Sequence, residues 1–112
     1  MIRITEITFD EWEKLNFKIG EVVEAKDHPH ADKLYVLGVD IGEENLRTIV
    51  ASIKEHYEKA DLVGKKIVVF TNLKPVKFRG VESCGMLLAA EDDGKCVLLT
   101  PEEDIKNGSK VR

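Results

Sequence analysis

Tyr35-Val36-Leu37-Gly38-Val39-Asp40-Ile41 is followed, after Gly42-Glu43-Glu44-Asn45, by Leu46-Arg47-Thr48-Ile49-Val50-Ala51. Tyr35, Leu37, Val39 and Ile41 fall on alternate positions, the period of a half-buried strand. The Gly-Glu-Glu-Asn stretch turns the chain, so residues 46–51 read as the hairpin partner of that strand. Upstream, Phe17, Ile19, Val22 and Val23 predict an earlier strand, bent or bulged near Gly20. Between them Asp27-His28-Pro29-His30-Ala31-Asp32 reads as a loop, because Pro29 interrupts any ladder and its polar neighbours favour turns.

Downstream the period changes. Residues 53–62 read as helical, with Ser52 as N-cap and Glu55 at the capping-box position, and Gly64 ends the section. Residues 66–71 carry the apolar run Ile67-Val68-Val69-Phe70, another strand. Residues 86–90 and 96–99 predict a last hairpin around Asp92-Asp93-Gly94, while 100–112 show no strong period. Near the start, Thr8 and Glu11 form a capping box for a short helix over 9–15, with Ile7 and Trp12 placed as its hydrophobic staple. Five or six short strands with a helix between the third and fourth is the layout of an all-β OB-fold, a Greek-key barrel with short accessory helices. An SH3-like barrel and an open α+β sheet are its competitors.

Length and composition fit one domain over 1–112, with a pre-barrel segment at 1–15, a barrel at 17–99 and a C-terminal segment at 100–112. A chain of 112 residues, 43% of them apolar, can bury a core without metal or disulfide support. The start Met1-Ile2-Arg3-Ile4-Thr5 has no long apolar run and no stop-transfer segment follows, so a cytoplasmic protein without membrane association is expected. Cys84 and Cys96 are expected to be reduced and packed as small apolar groups. Seventeen basic residues against 21 acidic ones leave a net charge of −4, which repels nucleic acid unless charge is segregated.

Charge is segregated at Asn72-Leu73-Lys74-Pro75-Val76-Lys77-Phe78-Arg79-Gly80-Val81-Glu82-Ser83-Cys84-Gly85-Met86. Lys74, Lys77 and Arg79 meet no acid until Glu82, and acids gather instead at 91–93 and 102–104. Each cation can contact phosphate, and Arg79 can do so bidentately. Asn72 and Ser83 can hydrogen-bond sugar or base edges; Phe78 or Met86 can offer an apolar face to an unstacked base. The competing reading is a solvated turn with Asn72 capping the strand and Met86 in the core.

The second cluster, Asp27 to Leu34, holds two histidines, but they flank Pro29 and no cysteine lies near, so no metal site is expected. No enzyme signature stands out. Position 81 is Val, so Ser83 is outside a G-x-S-x-G elbow, and Cys84 has no histidine placed to activate it. No phosphate-loop or dinucleotide fingerprint occurs, and no cofactor is expected.

The motifs His28-Pro29-His30-Ala31-Asp32-Lys33-Leu34-Tyr35-Val36 and Asn72-Leu73-Lys74-Pro75, followed by Arg79-Gly80 and Ser83-Cys84-Gly85-Met86, resemble those of a known family. It is the tRNA-binding domain of the methionyl-tRNA synthetase C-terminus, of free-standing structure-specific tRNA-binding proteins, of the endothelial monocyte-activating polypeptide and of CsaA-type export chaperones. The resemblance covers 17–112, and it extends through Val39 to Glu43 and Arg47 to Ser52. It departs at Ser52-Ile53, where many members have Ser-Gly.

The resemblance implies an OB-fold that binds tRNA by shape and phosphate backbone, without catalysis. It places Lys33, Asn72, Lys74, Lys77, Arg79, Ser83 and Met86 on the RNA face. It also implies a homodimer built through the pre-barrel and C-terminal segments, and action in trans as a methionyl-tRNA synthetase beta component. Met1 and the family-like length favour a separate polypeptide. The alternative is a CsaA-like chaperone that binds unfolded or export-bound peptides, with an apolar patch near Phe78 and Met86; a third is an adaptor that docks on a synthetase.

Overall fold

One strand serves both halves of the barrel. The computed structural model describes residues 5–112; residues 1–4 of the expected pre-barrel segment lie outside the described residues. The elements are α1 (Phe9–Glu13), β1 (Phe17–Asp27), β2 (Tyr35–Asp40), β3 (Arg47–Ala51), α2 (Lys59–Leu62), β4 (Lys66–Phe70), β5 (Val76–Phe78), β6 (Val81–Ser83), β7 (Met86–Leu87), β8 (Ala89–Asp92), β9 (Lys95–Leu98) and β10 (Lys110–Val111). β1 pairs antiparallel with β4 through residues 17–21 and with β2 through residues 21–27. A strand can serve two partners in this way only by coiling, and a bulge supplies the extra twist. The register shifts between Val22 and Glu24, so the bulge lies at Val23 and not near Gly20 as expected. Gly20 has another reason to be glycine: a Cβ there would come within 2.6 Å of Val39 Cγ1 and 2.9 Å of Ile41 Cγ2. It makes room for the facing strand.

The main sheet runs β3-β2-β1-β4-β7, with β10 added to the start of β1. The predicted hairpin of 35–41 with 46–51 is present, Tyr35 facing Ala51 and Val39 facing Arg47. Closure comes at the far edge. Cys84 N–H donates to Thr48 O at 2.8 Å, and Val50 N–H donates to Ser83 Oγ at 3.0 Å. Arg47 Nη1 donates to Thr71 O and Cys84 O at 2.6 and 3.0 Å. The result is a nearly closed, five-stranded OB-fold barrel, which leaves few unpaired edges. Its interior holds Val22, Tyr35, Leu37, Val39, Ile41, Ile49, Ala51, Ile53, Leu62, Ile67, Val69, Cys96 and Leu98. Each large aliphatic among them is worth about 1.5–3 kcal/mol when fully buried.

Further expectations are modified by the structure. The helical reading of 53–62 shrinks to α2, whose N-cap is Glu58 without a side-chain cap bond, so Ser52 and Glu55 cap nothing. Residues 53–57 form a turn because Tyr57 is pinned: its carbonyl accepts from Tyr35 Oη at 2.7 Å and its hydroxyl from Leu98 N–H at 3.0 Å. The Thr8–Glu11 capping box is present, but Trp12 stacks on Phe17 at 5.8 Å while Ile7 stays exposed. Residues 108–111 lie along β1, with Gly108 N–H donating to Ile19 O and Ile19 N–H to Ser109 O. β10 itself is two residues long and shows no period of its own. The last hairpin forms as β8–β9 around Asp93-Gly94, while Met86 and Leu87 pair with β4 instead.

The seam makes a direct prediction. Ser83→Ala leaves the buried Val50 N–H without a partner and should lower the unfolding free energy by about 1–3 kcal/mol. A urea titration reads this as a lower midpoint; an unchanged midpoint would show that closure does not depend on the hydroxyl.

Candidate nucleic-acid interface

The segment expected to be a basic loop contains a hairpin. β5 and β6 pair with Val76 facing Ser83, Lys77 facing Glu82 and Phe78 facing Val81, leaving Arg79-Gly80 as a two-residue turn. Both turn residues have positive φ, 52° at Arg79 and 89° at Gly80, as a type I′ turn requires. Asn or Asp would normally occupy the first of these positions, since a long L side chain is strained there. Nothing lies within 4 Å of a Cβ built on Gly80, so the turn stands clear of the rest of the protein. An arginine is held at the tip of a projecting hairpin in spite of its backbone preference.

The expected site residues divide into two groups. Lys74, Lys77 and Arg79 are exposed, and none has a carboxylate partner among the described residues. Lys33 is also exposed and reaches Glu55 at 3.6 Å, a pairing weak enough for phosphate to displace. Met86 is half-buried on β7, opposite Phe70. The other two have internal partners. Ser83 is 1% exposed, and its hydroxyl donates to Gly85 O at 2.8 Å while accepting from Val50. Asn72 Oδ1 accepts from Asn16 N–H at 2.8 Å and its Nδ2 donates to Lys14 O at 2.6 Å, which ties the α1 segment to the foot of the basic region. Ser83 is thus buried and engaged internally, while Asn72 is exposed with both ends of its amide hydrogen-bonded to the segment before β1.

Other candidate chemistry is occupied in the same way. His28 is buried, with Nε2 2.7 Å from Phe78 O and Nδ1 2.9 Å from the His30 N–H. Neither nitrogen is free to ligate a metal. Burial first, then the neighbouring Glu82 carboxylate, pushes the Cys84 thiol up from its ordinary value, the opposite of what a nucleophile needs. Hydrogen bonding to Lys59 and then Lys54 holds the Asp27 carboxyl below its usual range. Asp27 therefore stays ionised and anchors the base of the loop that carries Lys33.

Two residues have structural roles that the sequence did not assign to them. Arg47 donates to Glu43 through Nε and Nη2 at 3.0 and 3.1 Å while its Nη1 holds the seam carbonyls. The Glu43 hydrogen bonds raise the Arg47 pKa, and those of Arg47 lower that of Glu43. His28 joins the two motifs across 50 residues of sequence. The signal for Arg47 is a lone cation inside an apolar strand. His28 stands at the head of the first motif, but nothing local points to its partner Phe78.

Because Arg79 carries left-handed strain, Arg79→Asn should preserve or raise thermal stability, by up to about 1 kcal/mol, while weakening RNA binding. Melting curves and gel shifts on one preparation check this. Loss of stability with unchanged binding would contradict the assignment.

Comparison with known proteins agrees with this architecture. A family model described as "Putative tRNA binding domain" matches residues 17–110. The methionine–tRNA ligase of Methanocaldococcus jannaschii is 53% identical over 111 residues, 98% of this chain and 17% of the ligase. That of Pyrococcus furiosus is 50% identical over 106 residues, 95% of this chain and 14% of the ligase. The chain thus spans a small part of these curated relatives. Among solved structures, a MetRS-related protein from Pyrococcus horikoshii superposes with a TM-score of 0.88 at 39% identity, covering 97% of this chain and all of that one. The chaperone CsaA of Bacillus anthracis superposes with a TM-score of 0.85 at 29% identity, covering 96% of this chain and all of that one. By both the family match and these identities, the chain belongs to the tRNA-binding domain family.

Proposed function

We propose that this domain binds tRNA through its backbone and shape, using the β5–β6 hairpin and the Lys33 loop as one cationic face. The observation that carries the reading is Arg79: a strained arginine at a solvent-exposed turn, flanked by unpaired Lys74 and Lys77. Strain of this kind persists where a function requires the side chain. A-form RNA presents phosphates and 2′-hydroxyls across a shallow minor groove, and a projecting cationic hairpin meets that surface without reading sequence. Lys33, Lys74, Lys77 and Arg79 are the contact residues in this reading, with Met86 as a half-buried apolar neighbour. Asn72 and Ser83 act through the backbone they hold.

Four cations are few for a chain of net charge −4, and a second copy would double them. An open cavity of about 290 Å³ is lined by Phe9, Trp12, Glu13, Leu15, Phe17, Lys110, Val111 and Arg112. Phe9 is 70% exposed and Trp12 41%. An exposed aromatic patch formed by the pre-barrel helix and the C-terminal strand supports a homodimer through those segments. In this reading the dimer works in the cytoplasm, in trans with a methionyl-tRNA synthetase, and has no catalytic step of its own. Among the described residues no helix is long and apolar enough to cross a membrane.

The CsaA likeness supports a second reading, in which the patch holds an unfolded peptide. An exposed aromatic surface lies at α1 and β10, whereas Phe78 and Met86, where the patch was expected, are half-buried.

Gel shifts with tRNA at stepped salt concentrations test the main reading. Log affinity should fall with log salt at about 0.7–0.9 per phosphate engaged, and Lys77→Ala with Arg79→Ala should flatten that slope by one such unit for each cation lost. Binding by the double variant equal to that of the parent at low salt would overturn the reading. Peptide binding insensitive to salt would favour the chaperone instead.

A further inference from the structure

The β5–β6 hairpin is a two-stranded sheet separate from the main barrel sheet. An isolated two-stranded hairpin is marginally stable in water, and this one also carries a residue in a left-handed conformation. Something besides its own ladder must hold it. At its foot Ser83 is fixed in the seam. Near its tip the His28 ring attaches it laterally, meeting the carbonyl of Phe78, the residue before Arg79.

The hydrogen bonds of that ring assign its proton. A backbone N–H can only donate, so the His30 N–H requires a lone pair on Nδ1. A carbonyl can only accept, so Phe78 O requires the hydrogen on Nε2. One uncharged tautomer satisfies both, and the ring is 6% exposed. On the other side of the ring the loop is closed by His28 N–H to Leu34 O at 3.1 Å, and its base Asp27 is clamped by Lys59 and Lys54 at 2.8 and 3.1 Å. Lys33 sits inside that closed loop. The same ring therefore holds the loop with Lys33 and the hairpin with Lys77 and Arg79.

We propose that His28 is a positioning residue for RNA binding: its Nε2–H bond to Phe78 O locks the Lys33 loop and the Arg79 hairpin into one pre-ordered cationic face. The proposal rests on the tRNA-binding reading above. Its physical basis is that a face ordered before binding engages several phosphates together, whereas a loose hairpin must be ordered at the moment of contact and loses affinity.

Three variants test it: His28→Ala, His28→Asn and His28→Gln. The Gln amide Nε2 can reach the position of the imidazole Nε2 and donate to Phe78 O. The Asn side chain keeps an acceptor for the His30 N–H but stops short of Phe78. Two readouts are used, amide hydrogen exchange of the free protein and the salt dependence of tRNA gel shifts. His28→Ala and His28→Asn should speed exchange at residues 77–83 by about twofold to tenfold while core amides such as Leu37 and Ile67 keep their protection. The same two variants should weaken tRNA binding by a similar factor and flatten the salt slope by about 0.7–0.9, one phosphate contact. His28→Gln should restore both readouts. Hairpin exchange unchanged in His28→Ala overturns the latch, as does His28→Asn matching His28→Gln or a uniform loss of core protection. Failure of the parent to shift tRNA overturns the functional reading alone, because the exchange experiment contains no RNA.

Discussion

Between Thr48 and Cys84 a backbone hydrogen bond, flanked by the Ser83 hydroxyl and the Arg47 guanidinium, turns a curled sheet into a barrel. Every other feature of the molecule is arranged around that seam. It shuts the core on the side where β3 and β7 would otherwise be bare edges, and it fixes the foot of the β5–β6 hairpin. Val50 and Ser83 are buried and Arg47 and Cys84 half-buried, so their polar groups must be satisfied or carry a desolvation cost. Arg47 satisfies two carbonyls at once and is itself held by Glu43. The seam therefore orders the barrel and presents the cations on one rigid base.

This dependence changes what a motif residue means. Asn72 and Ser83 lie within the most recognisable stretch of the chain, and both are engaged internally. Lys74, Lys77 and Arg79, between them, are free. A short sequence signature thus mixes two jobs: polar residues that hold the backbone of the hairpin in place, and cations that the hairpin displays. His28 links the other motif to this hairpin through its contact with Phe78 O, which brings together two stretches that are far apart in sequence.

Much of the barrel was legible because its strands obey simple periodicity. Tyr35, Leu37, Val39 and Ile41 alternate and are all buried, and the Thr8–Glu11 capping box appears as read. Where long-range contacts overrode local preference, the reading failed. Residues 53–57 have a helical pattern but are pinned by Tyr35 and Leu98. The bulge moved from Gly20 to Val23 because the space at Gly20 belongs to Val39 and Ile41. The β5–β6 hairpin went unseen because Arg-Gly is an unfavourable turn pair; its tip violates the rule by which hairpins are recognised. Of the candidate site, the exposed cations Lys74, Lys77 and Arg79 stand out by charge segregation, whereas the internal engagement of Asn72, Ser83 and His28 depends on partners remote in sequence.

The central claim is that tRNA meets this protein on the hairpin and the Lys33 loop. Amide chemical shifts followed during titration with tRNA test it most directly. The account predicts that the first and largest changes fall at residues 31–34 and 74–86, with α1 and β8–β9 little affected. Changes concentrated at Phe9, Trp12 and Val111, with the hairpin silent, would contradict it.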